Sequence, residues 1–94
     1  MSPSPVKSTA ALTATGDPVT SPCYLRGVYF VSGAGAGGLT LTNGSGGATV
    51  FDIDTPAAVG ATYMELPGRG IRCESGLTVS GITGVTSATL FYEG

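Results

Sequence analysis

Glycine constrains this chain more than any other residue. It fills 16 of 94 positions, and together with proline it cuts the sequence into short segments. A glycine inside a helix costs about 1 kcal/mol relative to alanine, and a proline about 3. Chain punctuated this often leaves little room for helices. No segment joins a 3.6-residue apolar period to helix caps over a sufficient length. The remaining segments are short runs rich in β-branched and aromatic residues, bounded by Gly, Pro, Asn and Ser, which is the pattern of strands joined by tight turns. A chain of this length buries roughly 60–65% of its extended surface. One small core is therefore the limit, and separate cofactor and substrate domains are excluded.

The strand pattern can be followed along the chain. Pro3 and Pro5 lie among serines, so residues 1–6 are expected to be extended and unpaired. Residues 7–15 alternate weakly and suggest an edge strand, making 1–15 an N-terminal arm with a weak strand and 16–94 the domain proper. Gly16-Asp17-Pro18 and Ser21-Pro22 predict a loop. Residues 23–32 form the clearest strand. Strict alternation places Leu25, Gly27, Tyr29 and Val31 on one face and Tyr24, Arg26, Val28 and Phe30 on the other. Both faces are largely apolar, as in a strand covered on both sides. After a glycine-rich turn at 33–38, residues 39–43 and 48–54 form a hairpin about Asn43-Gly44-Ser45-Gly46-Gly47, whose residues tolerate positive φ. Here Leu39, Leu41, Phe51 and Ile53 point inward and Asp52 and Asp54 outward. Further strands are expected at 61–66, 71–74, 77–80 and 86–92, with Pro67–Gly70 a turn and a glycine-rich connection after residue 80. The fold class is all-β: a small antiparallel β-sandwich or jelly roll of about eight short strands with an extended N-terminal arm.

Charge is sparse. Charged residues make up 11% of the chain, the net charge is −2, and there is no His or Trp. Nucleic-acid binding needs several basic residues on one stripe. Here Lys7 lies by the arm, Arg69 on a turn tip, and Arg26 and Arg72 within strands. No apolar run approaches the ~20 residues of a membrane-spanning helix. The first residues lack the apolar core of a signal peptide, so use without secretion is expected. Cys23 and Cys73 read as buried free thiols; a disulfide would need their Cα atoms within about 7 Å.

Motifs that could carry chemistry give way to simpler readings. Gly33-x-Gly35-x-x-Gly38 matches a dinucleotide fingerprint, but a strand follows it where the pyrophosphate needs a helix N-terminus. Asp52 and Asp54 share a strand face without the acidic loop of a calcium site, and read as a solvated face. Glu65 and Glu74 could form a glycosidase pair, but a compact sandwich offers little cleft and no Trp for a sugar to stack on. Cysteine, serine and threonine nucleophiles lack a histidine base, and zinc lacks its commonest ligand. Asn43-Gly44-Ser45 is a glycosylation sequon by rule, but reads better as a turn. No catalytic, cofactor or metal site is assigned.

The apolar surplus is more informative. Tyr24, Phe30, Tyr63, Phe91 and Tyr92 exceed what one thin core accommodates, so some should lie on an outer face, as at interfaces. Arg26, amid apolar neighbours, needs a carboxylate, since an unpaired buried charge is costly. Glu65, Glu74 and Glu93 are the candidates.

Several stretches together resemble small virion proteins of tailed bacteriophages. They are residues 22–31, the Asn43 turn, Phe51-Asp-Ile-Asp-Thr-Pro-Ala, Leu66-Pro-Gly-Arg-Gly-Ile-Arg and the closing Val85-Thr-Ser-Ala-Thr-Leu-Phe-Tyr. The closest likeness is to head decoration, or cement, proteins, and it spans roughly residues 16–93. It implies an all-β domain behind a short arm, placed on the capsid exterior as a trimer that clamps neighbouring major capsid proteins. No enzymatic activity, cofactor, nucleic acid, membrane or small-molecule substrate is implied, and the protein would be made in the host cytoplasm. On this reading Pro3, Pro5, Val6, Lys7 and Arg69 are expected to contact the capsid, and Tyr24, Arg26, Phe30, Tyr63 and Tyr92 to form the oligomer interface. The alternative is a tail or fibre module that recognises a host surface glycan, which would need a concave, aromatic-lined groove.

Overall fold

The computed structural model describes residues 6–68 and 70–94. Pro3, Pro5 and Arg69, three of the expected capsid contacts, lie outside the described residues. Nine strands are found among the described residues: β1 Lys7–Ser8, β2 Gly16–Val19, β3 Cys23–Ser32, β4 Gly37–Asn43, β5 Thr49–Thr55, β6 Gly60–Glu65, β7 Ile71–Cys73, β8 Leu77–Thr83 and β9 Val85–Glu93. None of the described residues is helical, and no helix is long and apolar enough to cross a membrane.

The strands form two antiparallel sheets. One has the order β1-β9-β3-β6, with β7 also paired to β3, and the other β2-β8-β4-β5. The pairs are nested. The β4·β5 hairpin is innermost, followed by β3 with β6 and β7, then β2 with β8, then β1 with β9. A long hairpin rolled on itself gives this jelly-roll order, which places consecutive nested pairs in alternate sheets.

The core forms where the inner faces meet. Cys23, Leu25, Val28, Phe30, Cys73, Ala88 and Leu90 come from the five-stranded sheet, and Leu39, Leu41, Leu77, Val79 and Val19 from the other. The hairpin follows its alternation. Leu39 and Leu41 are fully buried, Phe51 and Ile53 pack against the core, and Asp52 and Asp54 are exposed. Its loop uses left-handed backbone at Gly44 and Gly46.

Three expectations are corrected. Residues 16–19 are strand β2, not loop. β2 lies at a sheet edge, where Pro18 has no ladder bond to lose, and its register shifts between Gly16 and Val19. The connection expected after residue 80 is mostly strand. β8 runs to Thr83, and Gly84 alone separates it from β9 in the other sheet. That tight corner packs on the glycine-rich turn. The Gly33 amide donates to the Gly84 carbonyl at 2.8 Å, and a Cβ on Gly37 would fall 1.8 Å from the Thr83 carbonyl oxygen. The Gly33–Gly38 run therefore serves a close crossing of backbones.

The third correction concerns β3. Against β9 its register passes from Leu25↔Tyr92 directly to Gly27↔Phe91, leaving Arg26 as an extra residue. Such a bulge reverses the side-chain phase beyond it. Cys23, Leu25, Val28 and Phe30 thus share the core face, while Tyr24, Gly27, Tyr29 and Val31 face outward. The expected faces each hold for only half of the strand. Phe30, offered as an interface residue, is instead in the core at 2% exposure.

Near the N-terminus the chain lies along β9. Lys7 pairs with Tyr92 and Ser8 with Phe91, and Leu12 bridges Ala88. The Lys7 ammonium donates to the Gly94 carbonyl at 2.9 Å.

Candidate interaction surface

The outer face of the five-stranded sheet holds an unusual side-chain set for a face turned to water. β3, β6 and β9 run side by side, with Tyr29 opposite Tyr63 on one side and Thr89 on the other. One register step away, Gly27 lies between Glu65 and Phe91. Because Gly27 has no side chain, the Tyr63 ring leans over it. A Cβ there would sit 3.0 Å from the Tyr63 hydroxyl and 3.2 Å from its Cε1. The Tyr63 ring thereby reaches Phe91 edge-on, with centroids 5.7 Å apart and planes at 80°, a favoured aromatic geometry. Tyr29 remains 38% and Tyr63 55% exposed. Val31 and Ala61, cross-strand partners, extend the surface toward the Pro56–Val59 loop, where Val59 is 76% exposed. Ser32 steadies that loop by donating to the carbonyls of Ala58 and Gly60, at 2.6 and 3.1 Å.

Charges lie at the rim. Glu65 borders the aromatic centre. At the other end of β3 the Arg72 guanidinium lies over the Tyr24 ring at 5.3 Å, donates to its hydroxyl at 3.1 Å, and pairs with Glu74 at 3.7 Å. The bulge residue Arg26 donates to Glu93 Oε2 at 3.3 Å, so of the three candidate carboxylates the structure selects Glu93. The Arg26 Nε is buried and finds no acceptor among the described residues. An aromatic centre inside a polar rim is the general layout of a protein interface.

Of the residues named from sequence, Tyr24, Arg26 and Tyr63 lie on or beside this face. Tyr92 packs against the core from β9, opposite Leu25, and Phe30 is buried. Val6 is exposed just before β1, and Lys7 is tied to Gly94. Sequence reasoning left Tyr29 out because unbroken alternation placed it with Leu25. An arginine followed by glycine inside an apolar strand was the available sign of a bulge. Val59 lies between strands, where alternation assigns no face.

Asp17, Thr20, Ser45, Ser75 and Thr78 line a shallow cleft of about 210 Å³ between β2 and the β4–β5 and β7–β8 turns. In it the Thr78 hydroxyl donates to Asp17 at 2.6 Å, but its lining contains no aromatic ring for a sugar to stack on. No group of three or more His, Cys, Asp or Glu that could hold a metal occurs among the described residues.

Cys23 and Cys73 are direct cross-strand partners in β3·β7, and both are buried free thiols. Burial pushes the Cys73 thiol up to about 11 from its ordinary 9.0, and the proximity of Cys23 adds to the rise. Burial also raises Cys23, against a hydrogen bond to Cys73 that lowers it.

Comparison with known proteins finds no matching family model, no matching curated protein and no matching solved structure.

Proposed function

We propose that this chain is a non-enzymatic structural protein of a tailed-bacteriophage virion. It would decorate the capsid exterior as a homotrimer and stabilise the shell by clamping neighbouring major capsid proteins. The observation that carries this reading is the outer face of the five-stranded sheet, where exposed Tyr29 and Tyr63 and partly covered Phe91 sit inside a charged rim. A stable protein interface needs about 800 Å² from each partner. The molecule measures 44 × 28 × 21 Å, so one sheet face has room for such a contact. The sequence resemblance to decoration proteins supplies the setting, and the jelly roll suits it as a rigid, compact unit.

The mechanism requires binding and no chemistry. A clamp that binds the assembled shell better than its separate parts stabilises the shell by linkage. Many copies repeat one contact, so each contact can be weak while avidity holds the set. The aromatic face joins copies to one another. The N-terminal arm through Lys7 and the Pro67–Gly70 turn reach the capsid protein.

Electron cryo-microscopy of the virion tests the placement. Density for this domain at threefold positions of the shell is the expected result; density on the tail would overturn it. Removing residues 1–7 should lower shell occupancy at least tenfold with the fold intact, because β1 contributes only a two-residue strand at the sheet edge. Unchanged occupancy would remove the arm from the contact.

A further inference from the structure

We infer that Cys23 and Cys73 are a built site for a reversible cross-strand disulfide that staples β7 to β3. Direct partners on antiparallel strands have Cα atoms about 4.5–5.5 Å apart, inside the roughly 4.4–6.8 Å range that disulfides span. The pair therefore meets the distance requirement with no change of register. Cys23 is the first residue of β3 and Cys73 the last of β7, so the site lies at an end of the sheet. β7 is three residues long, and β3 is its one strand partner among the described residues. That pairing is its whole backbone ladder, so a covalent tie there has much to add. The bond would close a loop of roughly 50 residues, long enough for a large restriction of the unfolded chain.

The placement also explains how the site could stay reduced and later close. Both thiols are buried beside Leu25 and Ile71, and Gly94 lies against Cys23. An oxidant reaches them when this end of the sheet opens locally, as short strands with few ladder bonds do most readily. With a low-molecular-weight disulfide such as oxidised glutathione, one cysteine thiolate attacks a glutathione sulfur. A mixed disulfide forms and one glutathione thiolate leaves. The second cysteine thiolate then attacks the protein sulfur and expels the other glutathione. Two protein S–H bonds are lost and one S–S bond forms. One glutathione disulfide becomes two thiols, which take up the two protons. The stapled β7 fixes one end of the Pro67–Gly70 turn and holds Arg72 over Tyr24.

The test is incubation of the full chain with oxidised glutathione, alone and in mild denaturant, followed by intact mass and a peptide map. The expected product has lost two hydrogens and yields one cross-linked peptide joining Cys23 and Cys73. Its melting temperature should rise by about 10–30 °C, and dithiothreitol should reverse both changes. The Cys23→Ser and Cys73→Ser variants should instead stop at a glutathione adduct. Accumulation of glutathione adducts on the wild-type chain would overturn the inference. So would a cross-linked product that melts no higher than the reduced protein. Both readouts use the wild-type chain, so they stand even if a serine variant fails to fold.

Discussion

The two sheets share a core but meet the outside differently. On the four-stranded sheet the outward residues are Thr40, Asp52, Asp54 and Ser80. Thr40 donates to Asp52 at 3.0 Å, and Ser80 donates to the Thr40 carbonyl at 3.4 Å. Those side chains are at home in water. On the five-stranded sheet the corresponding surface holds Tyr29, Tyr63, Phe91 and Val31, with charges paired at the margin. The same alternation rule builds both sheets, so the difference does not come from folding requirements. On the proposed function, one face is for solvent and the other for a partner.

The comparison makes graded predictions. Inner-face residues should matter equally in both sheets. Leu25→Ala and Leu41→Ala, each removing a fully buried side chain, should each cost about 2–5 kcal/mol in denaturant unfolding. A much smaller loss in either sheet would mean the core is not shared as described. Gly27→Ala should cost about 1–3 kcal/mol, because the new methyl group meets the Tyr63 ring at close to 3 Å. It should also weaken self-association, since the Tyr63 ring must shift over Phe91. A neutral Gly27→Ala would mean the ring moves freely and the aromatic cluster is not organised. On the other sheet, Asp52→Asn should stay within about 0.5 kcal/mol of wild type and leave the association state unchanged.

A pH titration probes the edge of the five-stranded sheet. The Cys73 thiol titrates near 11 in the folded chain and near 9 when unfolded. Above pH 9 the unfolded state therefore gives up its proton first, and stability falls as pH rises from 9 to 11. Thermal melts of the reduced protein should show a fall across that window that Cys73→Ala makes shallower, the buried Cys23 thiol supplying the remainder. A Cys73→Ala variant with the same alkaline slope would assign the effect elsewhere.

Local chemistry explains which parts were legible in the sequence. The β4–β5 hairpin could be read because its turn residues and alternation lie within a few positions of one another. The fold class followed from glycine, proline and β-branched residues in the same way. β2 could not be read, because Pro18 is acceptable only once the strand is known to sit at an edge. The phase of β3 could not be read because the bulge at Arg26 is set by pairing with β9, more than sixty residues away. That one residue decided the surface. It turned Phe30 inward and Tyr29 outward, while Tyr24, before the bulge, stayed on the face that alternation gives it. The need of Arg26 for a carboxylate was visible from its neighbours; the choice of Glu93 required the fold.

The central claim is that the aromatic face of the five-stranded sheet joins copies of this chain. Light scattering on the wild-type protein and on Tyr63→Asp, across a wide concentration range, tests it most directly. The account predicts a mass three times that of the chain for the wild type and a folded monomer for the variant. A wild type that stays monomeric throughout, or a variant that assembles as well as the wild type, would contradict it.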